Sequence, residues 1–474
     1  MSDHTGKPRT TAHPYMANSA AGLRKELLDA VGVADIDDLF EQIPHEHRLT
    51  RPLALPPALS SEVELARHVG RTLAANDSCE RYLSFLGAGC WQHHVPAVCD
   101  EIAQRTEFVT SVWGTPASDL GRNQAWFEFA SQLGELLELD FVGLPVYSWG
   151  CAAGHAIRMA TRVTDRDRVL VPELLDPERA AVIETYCGPV QGPDHIKNVP
   201  LAIDETTGGL DLDALADALA HAATAAVYLE HPTSLGALET AGERIVALAH
   251  EAGALVIAGV DPISLGVLAP PGEWGADIAV GPTQPLGVHM NGGGGSGGFI
   301  ATPDEERFAR QYPTLQVSLA PTVAEGEHGF AMTLFQQSSY GQRELANDWT
   351  GNSVYLWAIV NATYMSLLGP AGFAELGQAI LTRSHYAARR LSELPGVAIR
   401  YPGFFKEIVV DFSDTGRTVV EINAGLRTDH GIFGGGDLSA AHPQLGQCAL
   451  YCFTEVHTRE DIDRLAEALA EVIT

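Results

Sequence analysis

Only four lysines occur in the 474 residues, at Lys7, Lys25, Lys197 and Lys406, and arginine supplies the rest of the 30 basic side chains. Imine chemistry draws on a lysine amine, so each of these positions matters for what the chain can do. The other candidate groups cluster just after short apolar runs: Tyr147–Gly150, His231–Gly236, Asp261–Leu265 and Gly281–Met290. In open parallel sheets, ligands sit at the carboxyl ends of strands, which is where such segments fall. Asp261 ends the run ALVIAGV. An aspartate there can cap a helix or anchor a loop, or it can pair with the protonated pyridine nitrogen of a cofactor. The spacing does not choose between these. A second cluster, Trp91, Gln92, His93 and His94, follows the turn Gly87–Ala88–Gly89. The run NGGGGSGGF from residue 291 suits a backbone approached closely by a ligand or partner, or a plain turn. The seven cysteines show no CxxC pair and no His-rich metal spacing, so reduced core thiols are expected and no metal site.

The elements that must position these residues follow an alternating rhythm from about residue 140. FVGLPVYS, RVLVP (168–172), TAAVYLE (224–230) and ALVIAGV (254–260) read as strands. Helices are expected at Cys151–Val163, Pro177–Tyr186 and Glu239–Ala252. Buried apolar runs separated by amphipathic helices imply a largely parallel sheet covered on both faces. Before this region, residues 1–15 read as a disordered tail and 16–80 as a helical segment. Ala21–Val31 and Ile36–Ile43 have apolar faces, and Ser60 or Ser61 is placed to cap a helix running to Ala75. A large α/β domain is expected over 81–369. The helix Asn352–Leu368 stops at Leu-Gly-Pro, and a smaller α/β domain spans 370–474. In it, Phe373–Leu394 is helical, VAIRY, EIVVDF and CALYCF are strands, and Arg459–Val472 is the closing helix.

Bulk composition excludes several functions. The net charge of −30 with no basic cluster argues against a nucleic-acid binder. No window approaches the roughly 20 apolar residues of a membrane helix. Met1–Ala20 carries no apolar run before a small-residue cleavage site, so the cytoplasm is the expected compartment.

Several segments together resemble subunit 1 of glycine dehydrogenase (decarboxylating), the alpha half of the split P-protein of the glycine cleavage system. They are MANSAAGLRKELLDAVGVADIDDLFEQIPHEHRL near the start, SFLGAGCWQHHVPAV (84–98) and ALAHEAGALVIAGVDPISLGVLAPPGEWGADIAVG (247–281). MSLLGPAGF (365–373), FFKEIVV (404–410) and FTEVHTREDIDRLAEAL (453–469) continue the match. The resemblance implies the aspartate-aminotransferase-like pyridoxal-phosphate fold, fold type I. It also implies a heteromer in which a homologous beta subunit carries pyridoxal phosphate on a lysine and this chain closes that site. The implied reaction releases the glycine carboxylate as CO2 and passes the aminomethyl group to a lipoyl carrier protein. After GADIAVG, where the Schiff-base lysine lies in catalytic members, this chain reads PTQPLG, with Gln284 at or next to the lysine position. An imine cannot form on glutamine, and the four lysines lie elsewhere in the chain.

The resemblance also assigns expectations to individual residues. Trp91, Gln92, His93 and His94 would face the subunit boundary near the partner's site, where the His pair could lend a proton donor; packing of a structural loop is the alternative. Tyr147 and Ser148 lie where the fold begins its phosphate-binding helix, and Trp149 would block a phosphate there. Asp261 matches the pyridine-partner position only loosely, so a structural role is expected. His289 and His231 are further candidates, as is Trp113. Departures from the family pattern gather at these segments: VWGTPASDLG (112–121), with Ala117 and Leu120 at two polar positions, YSWGCA, HPTSLG (231–236) and RELANDWTGNS (343–353). They leave open a glycine decarboxylase subunit, a paralogue serving another amino acid, and a non-catalytic scaffold.

Overall fold

Seven strands, most of them apolar runs, assemble into one mixed sheet. In chain order its strands are β1 (Phe141–Val142), β2 (Arg168–Pro172), β3 (Lys197–Leu201), β4 (Ala226–His231), β5 (Leu255–Val260), β6 (Ile278–Pro282) and β7 (Gly298–Thr302). The spatial order is β1-β7-β6-β5-β4-β2-β3. Pairs β6/β5, β5/β4, β4/β2 and β2/β3 are parallel, whereas β7 runs antiparallel to both β6 and β1. The largely parallel α/β architecture expected from the sequence is observed, as a sheet of seven strands. β5 is buried at all six positions. Burial of both faces by crossover helices is why these strands read as continuous apolar runs, without polar alternation.

The computed structural model describes residues 15–16, 19–49, 51–109, 116–190, 192, 194–333, 350 and 354–474. It divides into two units, Met1–Asn76 and Asp77–Thr474. The first contains α1 (Ala21–Val31) and α2 (Glu62–Leu73), and Ser61 accepts the Glu64 N–H to cap α2. None of its described residues is buried.

In the second unit, α3 (Ala97–Ala103) and α4 (Pro116–Leu137) precede the sheet, and α5 (Trp149–Thr164), α6 (Pro177–Cys187), α7 (Leu212–His221) and α8 (Gly242–Glu251) connect its strands. The Leu-Gly-Pro signal does not end a helix outright. Instead α9 runs from Tyr355 to Ser392 with a break at Gly369 (φ 57°, ψ 179°), one residue before Pro370. Positive φ is open to glycine at no steric cost, and Pro370 cannot donate to the preceding turn, so the break occurs at this pair. Beyond it a four-stranded antiparallel sheet forms the small lobe. It is built from β8 (Ala398–Ile399), β9 (Glu407–Asp411), β10 (Gly436–Asp437) and β11 (Cys448–Cys452), in the order β8-β9-β11-β10. Helices α10 (Val419–His430) and α11 (Arg459–Val472) pack on it, and Thr418 and Thr458 form capping boxes with Glu421 and Asp461. Phe412, Ile422, Leu426, Tyr451, Phe453 and Leu465 fill the core between them. Cys448 and Cys452 are buried free thiols on β11. Among the described residues, no helix is long and apolar enough to cross a membrane.

Candidate active-site face

Asp261 stands one residue past β5 and Lys406 one residue before β9, so the two main sheets deliver them to a common point. Lys406 Nζ lies 2.8 Å from Asp261 Oδ2, and both side chains are almost wholly buried. The same ammonium sits 3.1 Å from His93 Nε2 and 3.3 Å from the centroid of the Trp91 ring. Sequence reading leaves Lys406 remote from the site; the structure corrects this. The residue belongs to the small lobe, but its four-carbon stem carries the amine across to the end of the central strand. Asp261 also anchors its own loop: its Oδ1 accepts the Ile263 N–H at 3.2 Å and its carbonyl accepts the Ser264 hydroxyl.

His93 extends the network outward. An ammonium offers only donors, so His93 Nε2 accepts and the ring proton resides on Nδ1. From there it is directed at Glu455 Oε2, 2.8 Å away, and the His94 N–H donates to Glu455 Oε1 at 2.7 Å. Burial pushes the Glu455 carboxyl up, but the imidazole of His93 and the two hydrogen bonds outweigh it and hold the group at about 2. Thus His93 is buried and fully engaged, whereas the neighbouring His94 side chain is exposed. The Gln92 carbonyl accepts the Thr454 hydroxyl at 2.6 Å, which fixes the loop from the other side.

Gln284 spends its amide on the same loop. Its Oε1 accepts the Trp91 N–H at 3.1 Å, and its Nε2 donates at 3.0 Å to both the Trp91 and Val288 carbonyls. A residue two positions past β6 therefore clamps the backbone of the tryptophan that covers Lys406. Glu407, next to Lys406, accepts the Ala88 N–H at 2.6 Å, and burial raises its carboxyl. A Cβ on Gly87 would collide with that Glu407 carboxylate, which explains the glycine turn before the aromatic cluster.

At the other end of the cavity, Ser148 caps α5 by accepting the Cys151 N–H at 3.2 Å, and Trp149 is the first helical residue. Trp149 lies 6.2 Å from Trp91, centroid to centroid, and the Arg179 guanidinium lies over the Trp149 ring, 3.9 Å from its centroid. Arg179 is held in two-point contact by Glu230, at 2.6 and 3.0 Å, and the Tyr228 hydroxyl donates to the same carboxylate at 2.6 Å. The result is a closed series of Lys406, Trp91, Trp149 and Arg179, a cation at each end of two indoles. The cavity that Asp261, Lys406, Trp91, Trp149 and Arg179 line has a volume of about 10 Å³. That is room for about one water.

The remaining candidates divide. Tyr147 is about half exposed beside the α5 N-terminus. His231, at the end of β4, accepts the Glu239 N–H on Nδ1 at 3.1 Å, and burial lowers its pKa to about 4. It is a neutral acceptor that shapes the turn. His289 is exposed and pairs with Asp100 at 2.9 Å, outside this network. In the glycine run, the approaching groups are the chain's own: Trp357 Nε1 donates to the Gly295 carbonyl, and Thr283 packs on Gly297. Trp113 and residues 343–349 and 351–353 lie outside the described residues, as do the side chains of Ala117 and Leu120. Sequence reasoning missed Lys406, Glu455, Arg179 and Glu230. Two of these left a trace: Glu230 interrupts the apolar run TAAVYLE, and Lys406 opens the run EIVV after two phenylalanines.

These residues do not fit pyridoxal phosphate on this chain. The amide of Gln284 is consumed by backbone, Trp91 and Lys406 fill the space above Asp261, and Ser148 with Trp149 occupies the helix start where a phosphate would lie. A cavity of about 10 Å³ admits no pyridine ring.

The chain matches the glycine cleavage system P-protein family over residues 14–469. It is 35% identical to the probable glycine dehydrogenase (decarboxylating) subunit 1 of Staphylothermus marinus over 471 residues, covering 98% of each chain. It is 37% identical to the protein of that name from Carboxydothermus hydrogenoformans, covering 94% of this chain and 97% of the relative. Among solved structures, it is similar to a glycine decarboxylase (P-protein) of the glycine cleavage system in inhibitor-bound form. That likeness has a TM-score of 0.83 and 33% identity, covering 98% of this chain and all of the other. A sphingosine-1-phosphate lyase from Burkholderia pseudomallei, 16% identical with a TM-score of 0.62 over 91% of this chain and 94% of the other, shares the fold. Near-complete coverage of both partners in these alignments makes the chain a member of the glycine cleavage system P-protein family.

Proposed function

We propose that the chain is the alpha-type subunit, without a Schiff-base lysine, of a heteromeric, pyridoxal-phosphate-dependent glycine decarboxylase, and that it completes an active site whose cofactor is carried by a homologous beta subunit. The observation that carries this reading is the filled strand-end cavity: Gln284 stands near the lysine position and Lys406 occupies the space over Asp261. The relatives' designation as subunit 1 supports a second polypeptide. Pyridoxal phosphate, when bound in the partner, supplies the electron sink for loss of the carboxylate. This chain's share is to position the loop and to offer His94 for proton transfer. Gln284, Glu455 and Thr454 hold the Trp91–His94 loop rigid, and His94 and Tyr147 are its exposed groups toward the partner's site. A lipoyl carrier protein is the acceptor, glycine the substrate and the cytoplasm the compartment.

Co-expression with a lysine-bearing homologue tests this. The complex should carry the visible absorbance of bound pyridoxal phosphate and exchange bicarbonate into glycine in the presence of lipoyl carrier, while the isolated chain does neither. A second reading, a related transfer on another amino acid, is favoured by Trp149 filling the start of α5. A loaded complex with no glycine exchange would support that reading over the first.

A further inference from the structure

We propose that the carboxylate and aromatic faces at the end of β5 form a cation site that the chain fills with its own Lys406, an internal ligand that locks the small lobe onto the large one. Each part of such a site is present. Asp261 supplies the anion at 2.8 Å, Trp91 places its π-face 3.3 Å from the ammonium, and His93 Nε2 accepts at 3.1 Å. All are buried, so the attraction acts with little solvent screening. The ammonium does not come from the large lobe that built the site. It arrives on the residue preceding β9, and the next residue, Glu407, reaches back to the Ala88 N–H. Two consecutive small-lobe residues thus grip the large lobe, one by charge and one by hydrogen bond. A chain using this cavity for an exchangeable ligand would need space there, and only about 10 Å³ remains.

Truncation of Lys406 to alanine removes Cγ, Cδ, Cε and Nζ, the atoms of n-propylammonium, and leaves Asp261 facing Trp91 without a cation. The Lys406→Ala chain should therefore be a receptor for that ion. The test is thermal unfolding of the full chain. Lys406→Ala should unfold several degrees below the parent, and n-propylammonium chloride should raise its midpoint saturably, beyond potassium chloride at equal ionic strength. The parent and Lys406→Met, whose apolar stem fills the space, should show no such response. Should Lys406→Ala fold only when n-propylammonium is present, that too supports the site. A second comparison stands apart from this one. Lys406→Met with Asp261→Asn, which removes both charges, should regain most of the midpoint lost by Lys406→Met alone, because a lone buried charge costs more than no pair. Equal responses to n-propylammonium and potassium chloride, together with additive losses in the double variant, would overturn the proposal.

Discussion

Lys406 Nζ and Asp261 Oδ2 meet at 2.8 Å, one residue before the first long strand of the small-lobe sheet and one residue after the central strand of the large one. The contact places a fixed positive charge at the end of the central strand. It also makes the neighbouring Gln284 a structural residue, since the loop it clamps is the lid over that charge.

Restoring a lysine near the family's imine position should accordingly fail to restore cofactor binding. Gln284→Lys loses three hydrogen bonds to Trp91 and Val288 and adds a second buried ammonium. The variant should be destabilised by about 3 kcal/mol or more. Denaturant unfolding measures the loss, and a spectrum after incubation with pyridoxal phosphate should remain that of the free cofactor.

The acid limb of stability should report on Glu455. Its folded-state pKa of about 2 lies below its ordinary 4.5. A carboxyl depressed in the fold stabilises it above the unfolded value, and that stability is lost as pH falls from about 4.5 toward 2. The full contribution is on the order of 3 kcal/mol. Glu455→Gln should therefore be less stable than the parent at neutral pH, with the gap closing across this window in unfolding curves taken at stepped pH.

His231 adds to the same limb from higher pH. Held neutral as an acceptor, with its pKa near 4, it favours the fold above the ordinary histidine value of 6.5, and the benefit fades as pH falls through about 4. Direct titration of its imidazole by NMR should find it unprotonated at pH 5.

Breaking the pair at the other end of the cavity should be costly. Arg179→Met strands Glu230 among buried groups, with Trp149 losing the cation over its ring. A loss of about 3–5 kcal/mol is expected from denaturant unfolding.

The strands β2, β4, β5, β9 and β11 and the helices between the first three were legible because burial on both faces writes itself as apolar runs of fixed length. The fate of Leu-Gly-Pro was less so: α9 resumes after Gly369 because packing on both sides outweighs a local stop signal. At the site, Asp261, Gln284 and the Trp91–His94 loop could be named from sequence, being strand-end or turn residues. Their partners could not, since Lys406 lies 145 positions from Asp261 and Glu455 lies 362 positions from His93. Only tertiary folding makes those pairs, and a buried lysine has the same one-letter signature as a solvated one. His93 and His94 look equivalent in sequence, yet one is locked between Lys406 and Glu455 and the other is free of that pairing at its ring.

That difference yields a functional prediction. In the assembled complex, His94→Ala should lower kcat about 10²-fold, the scale of a lost proton-transfer group, and alter the pH profile while leaving the unfolding midpoint unchanged. Unfolding and steady-state kinetics on the same preparation separate the two effects.

The most direct test of the account is the amount and location of pyridoxal phosphate in the complex with the lysine-bearing partner. Borohydride reduction, digestion and mass spectrometry should find one cofactor per pair of chains, attached to a lysine of the partner, with Lys406 and the other lysines of this chain unlabelled. Two cofactors per pair, or label on this chain, would contradict it.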